Sequence, residues 1–288
     1  MNELHSIARE LLESGKVNII VGWEASGGEK RTRPVIIREA DQVERLVFNH
    51  YCLNNLAVYL NRTEVRDAGV VGILAKGCDA RAIVQMIQEN RLERHNIHVI
   101  GFNCNGVTSD FNLDFQPENI APKCIDCPVR TPPIYDSLLG ELQSMPEMHN
   151  PLLERIQEVR NQPAPERFSY WREEFSKCIR CYACRQVCPL CYCTQCIADK
   201  TVPRWIESSA HDRGNFSWNL IRAFHLAGRC IGCGECERAC PVDIPLSLLN
   251  RRLADVVAQQ FSYRPGMDPE DSPWLGSFTM DDCEEFIK

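Results

Sequence analysis

Cys178-Ile-Arg-Cys181-Tyr-Ala-Cys184-Arg-Gln-Val-Cys188-Pro189 and Cys230-Ile-Gly-Cys233-Gly-Glu-Cys236-Glu-Arg-Ala-Cys240-Pro241 are two copies of one pattern. In each, three cysteines separated by two residues are followed by a fourth just before a proline. Three thiolates at that spacing can wrap one 4Fe–4S cube, and the fourth points away to close the neighbouring cube. The pattern therefore assigns Cys178, Cys181, Cys184 and Cys240 to one cluster, and Cys230, Cys233, Cys236 and Cys188 to the other. Paired cysteines also make zinc sites. Zinc explains neither the four cysteines in each run nor the two prolines. The chain is thus expected to hold two cubes and to move electrons.

The first run continues as Pro189-Leu-Cys191-Tyr-Cys193-Thr-Gln-Cys196. Two cubes do not need Cys191, Cys193 and Cys196. They suggest an additional 4Fe–4S or zinc site whose fourth ligand comes from elsewhere in the chain or from a partner. The competing reading packs them as small apolar residues, since free cysteine is often buried. Toward the N-terminus stand Cys78, Cys104, Cys124 and Cys127. Cys78 and Cys104 each follow an apolar strand-like run, which places them outside the carboxyl ends of strands, where open α/β sheets hold ligands. Cys124-Ile-Asp-Cys127-Pro is a chelating pair on a loop. Together the four supply the thiolates of a further cluster, or of zinc. The alternative is buried structural thiols. Cys52 and Cys283 are isolated and read as structural.

Working outward, the rest of the 288 residues shows what kind of chain carries these sites. A net charge of −7 and a pI near 5.6 argue against a nucleic-acid binder, which needs a basic patch to neutralise phosphate. No apolar run is long enough for a transmembrane segment. Met1 to Glu10 reads as an amphipathic helix carrying acids, without the basic-then-apolar order of a signal peptide. Seventeen cysteines, all but Cys52 and Cys283 grouped at ligand spacing, with no export signal, point to a reducing, anaerobic, cytoplasmic setting.

Residues 1–140 read as an α/β domain with a parallel sheet. Strands are expected at Val17–Gly22, Pro34–Ile37, Val70–Ala75 and Ile97–Gly101. Helices are expected over Asp41–Leu60 and over Asp79–Glu89, the second with Asp79 as N-cap. Strand, helix, strand in succession implies a parallel βαβ unit. The glycine-rich Ser26–Arg31 lacks the spacing of a phosphate loop and reads as a surface turn. Residues 141–169 read as a linker with a short helix from Pro151 to Arg160. Residues 170–262 read as an α-helical two-cluster ferredoxin domain, with helices at Asn215–Ala227 and from Pro245 to Phe261. Residues 263–288 form an irregular tail, either solvated or lying over a partner subunit. The seven histidines show no HExxH pattern and read as ordinary residues.

Ala75-Lys-Gly-Cys-Asp-Ala-Arg-Ala-Ile-Val84, Ile100-Gly-Phe-Asn-Cys104-Asn-Gly and Lys123-Cys-Ile-Asp-Cys127 resemble the C-terminal domain of the deazaflavin (coenzyme F420) hydrogenase and formate dehydrogenase beta subunits. The helical two-cluster part resembles the iron–sulfur subunits of heterodisulfide reductases. The resemblance implies an electron-transfer subunit of an oxidoreductase complex, itself non-catalytic. Its partners would be flavin, molybdenum or tungsten, or nickel–iron subunits of formate dehydrogenase, hydrogenase or heterodisulfide reductase type. Beta subunits of that family carry a flavin (FAD) as well as clusters. The alternative it implies is therefore a flavin-containing subunit that exchanges electrons with a soluble nicotinamide or deazaflavin carrier. This chain departs from the family in domain order and in its extra cysteines, so no flavin-contacting residue carries over.

Overall fold

The structure, a computed structural model, describes residues 1–28, 30–204 and 206–276. The N-terminal half contains helix α1 (Asn2–Glu13), strands β1 (Ile19–Ala25), β2 (Thr32–Ile37) and β3 (Leu46–Val47), the short helix α2 (Thr63–Arg66), strand β4 (Val71–Ala75), helix α3 (Gly77–Gln88), strand β5 (Ile97–Phe102), the short helix α4 (Pro122–Ile125) and strand β6 (Ser137–Leu139). They make one six-stranded sheet in the order β2-β1-β4-β5-β6, with β3 paired to β1. β1, β4, β5 and β6 run parallel, whereas β2 and β3 are antiparallel to β1.

Burial explains which strands are central. Every residue of β4 and β5 is buried, as expected of parallel strands covered on both faces. Each fully buried Ile or Val there, such as Ile73 and Val99, contributes about 1.5–3 kcal/mol. The antiparallel β1–β2 hairpin closes through the Ser26–Arg31 turn, where Ser26 N–H donates to the Arg31 carbonyl. The glycine-rich segment is therefore a hairpin turn.

The helix expected over Asp41–Leu60 does not form. That stretch holds a 3-10 turn (Ala40–Arg45), β3 and a second 3-10 turn (Leu56–Asn61). Its apolar positions Val43, Leu46, Leu53, Leu56 and Leu60 are all buried. The helical periodicity marked burial, but Phe48-Asn-His-Tyr-Cys52 is a run of weak helix formers, and Leu46–Val47 gains ladder bonds to β1 instead. Asp79 lies inside the first turn of α3, and Lys76 is the residue at the cap. The Asp79 carboxylate accepts from the Lys76 and Leu56 amides, so it caps from within.

Residues 141–169 hold α5 (Pro151–Asn161) and the start of α6 (Ala164–Ser176). Asn150 caps α5 by accepting from the Leu152 amide. The cysteine-rich part then runs through α7 (Ala183–Gln186), α8 (Asp212–His225), α9 (Glu235–Arg238) and α10 (Leu246–Phe261). Gly228 takes a left-handed φ of 69° just past α8, as a helix-ending glycine does. The tail docks in part on the α/β sheet domain. Tyr263 Oη donates to Gln85, and the Pro265 carbonyl accepts from the Arg81 guanidinium. Cys283 lies outside the described residues.

Candidate metal centres

The two cysteine runs adopt the same backbone. The residues flanking the second cysteine, Arg180 and Tyr182 in the first run and Gly232 and Gly234 in the second, all have φ between 57° and 73°. That conformation costs a non-glycine residue roughly 1–2 kcal/mol. The first run spends this at Arg180 and Tyr182. Such strain persists where surrounding structure enforces it, commonly at functional sites. In each run this turn leads directly into a single helical turn, α7 or α9, which carries the third cysteine.

Cys178, Cys181, Cys184 and Cys240 line one narrow cleft, walled by Trp218, Ile244 and Leu246. Cys188, Cys230, Cys233 and Cys236 line a second, walled by Leu190, Leu226, Arg222 and Asn250. In both, the fourth cysteine comes from the other run. Bonds to cysteine sulfur are already in place: the Ile244 amide lies 3.4 Å from Cys240 Sγ, and Asn250 Nδ2 lies 3.6 Å from Cys236 Sγ. Three buried donors in these walls, Arg180 Nε, Trp218 Nε1 and Arg222 Nε, have no acceptor. A cluster with bridging sulfides and thiolates offers acceptors to such groups, so the donor set and its walls fit a cube.

Cys78, Cys104, Cys124 and Cys127 line one cavity of about 560 Å³. Cys78 opens α3 after β4, and Cys104 follows β5. The loop bearing Cys124 and Cys127 closes over α3 at Gly77, where a Cβ would stand 2.0 Å from the Val129 carbonyl oxygen. Only glycine permits that approach. Cys104 is pinned by its amide, which donates to the Arg130 carbonyl at 2.8 Å. Cys230 and Cys233 line this cavity too, so it adjoins the second cleft. Lys123 bridges the two, donating to the Cys233 carbonyl at 2.7 Å and lying 3.5 Å from Glu235.

Burial dominates the electrostatics. It pushes the thiols of Cys184 and Cys104 up to about 11 and that of Cys236 up to about 12. It also raises those of Cys78, Cys127, Cys230 and Cys233. Free of metal these thiols hold their protons, and binding must release them. Buried cations stand ready to offset the charge. Burial alone would lower the Arg222 guanidinium, but thiolates at Cys191, Cys188, Cys236 and Cys184 around it would hold it raised.

Cys191, Cys193 and Cys196 line a third space, of about 640 Å³. Cys52 is fully buried apart from all of these, consistent with a structural role, and burial raises its thiol to about 11. Among the described residues, no three His, Cys, Asp or Glu side chains converge on a single-ion position. Sequence reasoning had not singled out Lys123, Trp218, Arg222 or His225. Trp218, Arg222 and His225 are spaced four and three apart, which places them on one face of α8, and that spacing was the available signal.

This arrangement is that of an iron–sulfur protein, and residues 177–245 match the family model described as a 4Fe-4S dicluster domain. Among curated proteins, the chain is similar to the F420-dependent formate dehydrogenase subunit beta of Methanocaldococcus jannaschii, with 38% identity over 99 residues, 34% of this chain and 25% of that protein. It is also similar to the F420-dependent formate dehydrogenase 1 subunit beta of Methanococcus maripaludis, with 28% identity over 106 residues, 37% of this chain and 27% of that protein. The matched region thus spans about a quarter of the length of these relatives. No helix among the described residues is long and apolar enough to cross a membrane.

Proposed function

We propose that the chain is an iron–sulfur electron-transfer subunit of a cytoplasmic, formate dehydrogenase-type complex, relaying electrons between partner subunits. The observation that carries this reading is the lining of the two narrow clefts. Each holds one set of four cysteines, three from one run and the fourth from the other. Cys178, Cys181, Cys184 and Cys240 ligate one cube, and Cys230, Cys233, Cys236 and Cys188 ligate the second. Cys78, Cys104, Cys124 and Cys127 ligate another cluster in the α/β domain, and Cys191, Cys193 and Cys196 belong to a further metal site.

The bound cubes supply one-electron chemistry. The residues of this chain exclude water, hold the ligands and set the local charge. Trp218, Ile244 and Leu246 keep the first cleft dry, while Arg222 lies within reach of thiols from both clefts. Because the second cleft shares Cys230 and Cys233 with the α/β cavity, clusters held in the two would be neighbours able to exchange electrons. Burial, nearby charge and hydrogen bonds to sulfur set the potentials.

The test is anaerobic purification of the full chain with iron and sulfide counted, beside Cys181→Ser. The reading expects the variant to lose about four irons, one cube. Unchanged iron would overturn it. A yellow chromophore that survives cluster bleaching would shift the assignment to a flavin-bearing subunit reacting with a soluble carrier.

A further inference from the structure

The 640 Å³ chamber is bounded by α3, α8 and the loop that follows Pro189. Cys191, Cys193 and Cys196 line it, and so does His225, from the last turn of α8. The loop is firmly built. Tyr192 bonds Glu89, which also takes two bonds from Arg229, and Arg229 and Arg91 lie over the Tyr192 ring. Arg185 holds the Cys193 carbonyl at 2.9 Å. These bonds fix the cysteines to the α/β domain and occupy Glu89. The His225 ring makes no hydrogen bond or ion pair among the described residues, so an imidazole nitrogen is free on the chamber wall.

Two buried donors without acceptors, Trp218 Nε1 and Arg222 Nε, also line this chamber. Trp218 is 2% exposed and Arg222 6%. Both also wall the ferredoxin-like clefts, so they mark where this chamber adjoins them. The Cys191 amide donates to the carbonyl of Cys188, which lines the second cleft, at 3.2 Å. Whatever the chamber holds therefore abuts the second cube.

We propose that Cys191, Cys193, Cys196 and His225 ligate a 4Fe–4S cluster through three thiolates and one imidazole. The inference rests on the electron-transfer reading above and adds the fourth ligand. All four donors line the same chamber, and three thiols with one imidazole make up the four ligands that a cube takes. Histidine in place of cysteine raises a cluster's potential, because a neutral ligand stabilises the oxidised state less than a thiolate does. This cluster accepts an electron before its all-cysteine neighbour in the second cleft.

The test uses the full chain purified anaerobically as wild type, Cys181→Ser, Cys193→Ser, His225→Ala and His225→Cys. Iron and zinc are counted, and the chemically reduced samples are read by pulsed EPR for nitrogen coupling. Cys193→Ser is expected to lose about four irons. Wild type should show one cluster strongly coupled to a ligand nitrogen. His225→Ala should lose that signal. His225→Cys should keep its iron, lose the nitrogen coupling and lower that cluster's potential. Unchanged iron in Cys193→Ser, loss of zinc in place of iron, or a nitrogen coupling that survives in His225→Cys would each overturn the assignment. If Cys181→Ser loses iron while Cys193→Ser does not, only this inference fails. If neither loses iron, the electron-transfer reading fails with it.

Discussion

The two ferredoxin-like clefts carry one motif in two settings. Around Cys178, Cys181, Cys184 and Cys240 lies a small separate core of Phe175, Ile244 and Leu246. Its rim is open: Cys181 is exposed, and Ile179 beside it is 59% exposed. Around Cys188, Cys230, Cys233 and Cys236 the wall residues Leu190, Leu226 and Ile231 belong to the main core of the α/β sheet. Arg81 ties this second cleft down through the Ile231 carbonyl, and Lys123 through that of Cys233. Identical spacing thus gives one outer and one inner cysteine-lined cleft. The motif fixes the ligands, and what packs against it fixes the role. On the proposed reading, a cube in the outer cleft would be placed to meet a partner and one in the inner cleft to relay.

The sharpest way to break this contrast is to remove the crossing ligands. Cys188→Ser should cost the inner cluster, and Cys240→Ser the outer one, each with about four irons. EPR of the two variants reports which spectrum remains. Loss of the cluster nearer in sequence would reverse the assignment.

Next in size is the support beneath the inner side. Lys76 (2% exposed) and Asp79 (0%) form a buried ion pair at 3.0 Å, with Lys76 also over the Trp23 ring. Lys76→Met leaves Asp79 buried and unpaired, at a cost of about 3–5 kcal/mol in chemical denaturation. Arg81→Gln removes charged hydrogen bonds to Ile231 and Pro265 and should cost about 1.5–3 kcal/mol. It should also raise protease sensitivity where the tail meets α3, while the outer cluster's EPR signal stays unchanged.

Smallest is the effect expected at the open rim. Ile179→Ala should change stability by less than about 0.5 kcal/mol and leave iron content unaltered. Limited ferricyanide should nevertheless bleach the outer cluster before the inner one. Simultaneous bleaching would erase the distinction.

Much of this was legible in the sequence because cysteine spacing is itself geometry. The two sets of four and the α/β cysteines fall into shared cavities as their spacing and strand positions suggest. Central strands were readable from unbroken apolar runs such as Val71–Ala75. The Asp41–Leu60 segment was not, since its periodicity reports which side chains are buried and not whether the backbone between them is helical. The inner and outer settings were hidden for another reason. They arise from contacts between distant residues, such as Lys123 with Cys233 and Arg81 with Pro265, which no local pattern encodes. His225 was passed over because it has no neighbouring ligand in sequence, and only the fold brings Cys191, Cys193 and Cys196 to its cavity.

The most direct measurement is iron and acid-labile sulfide per chain in anaerobically purified protein. Four thiol-lined sites predict about sixteen of each, on four irons per cube. About eight irons, with the remaining cysteines reacting as free thiols under denaturation, would contradict a relay that runs from the outer cleft into the α/β domain.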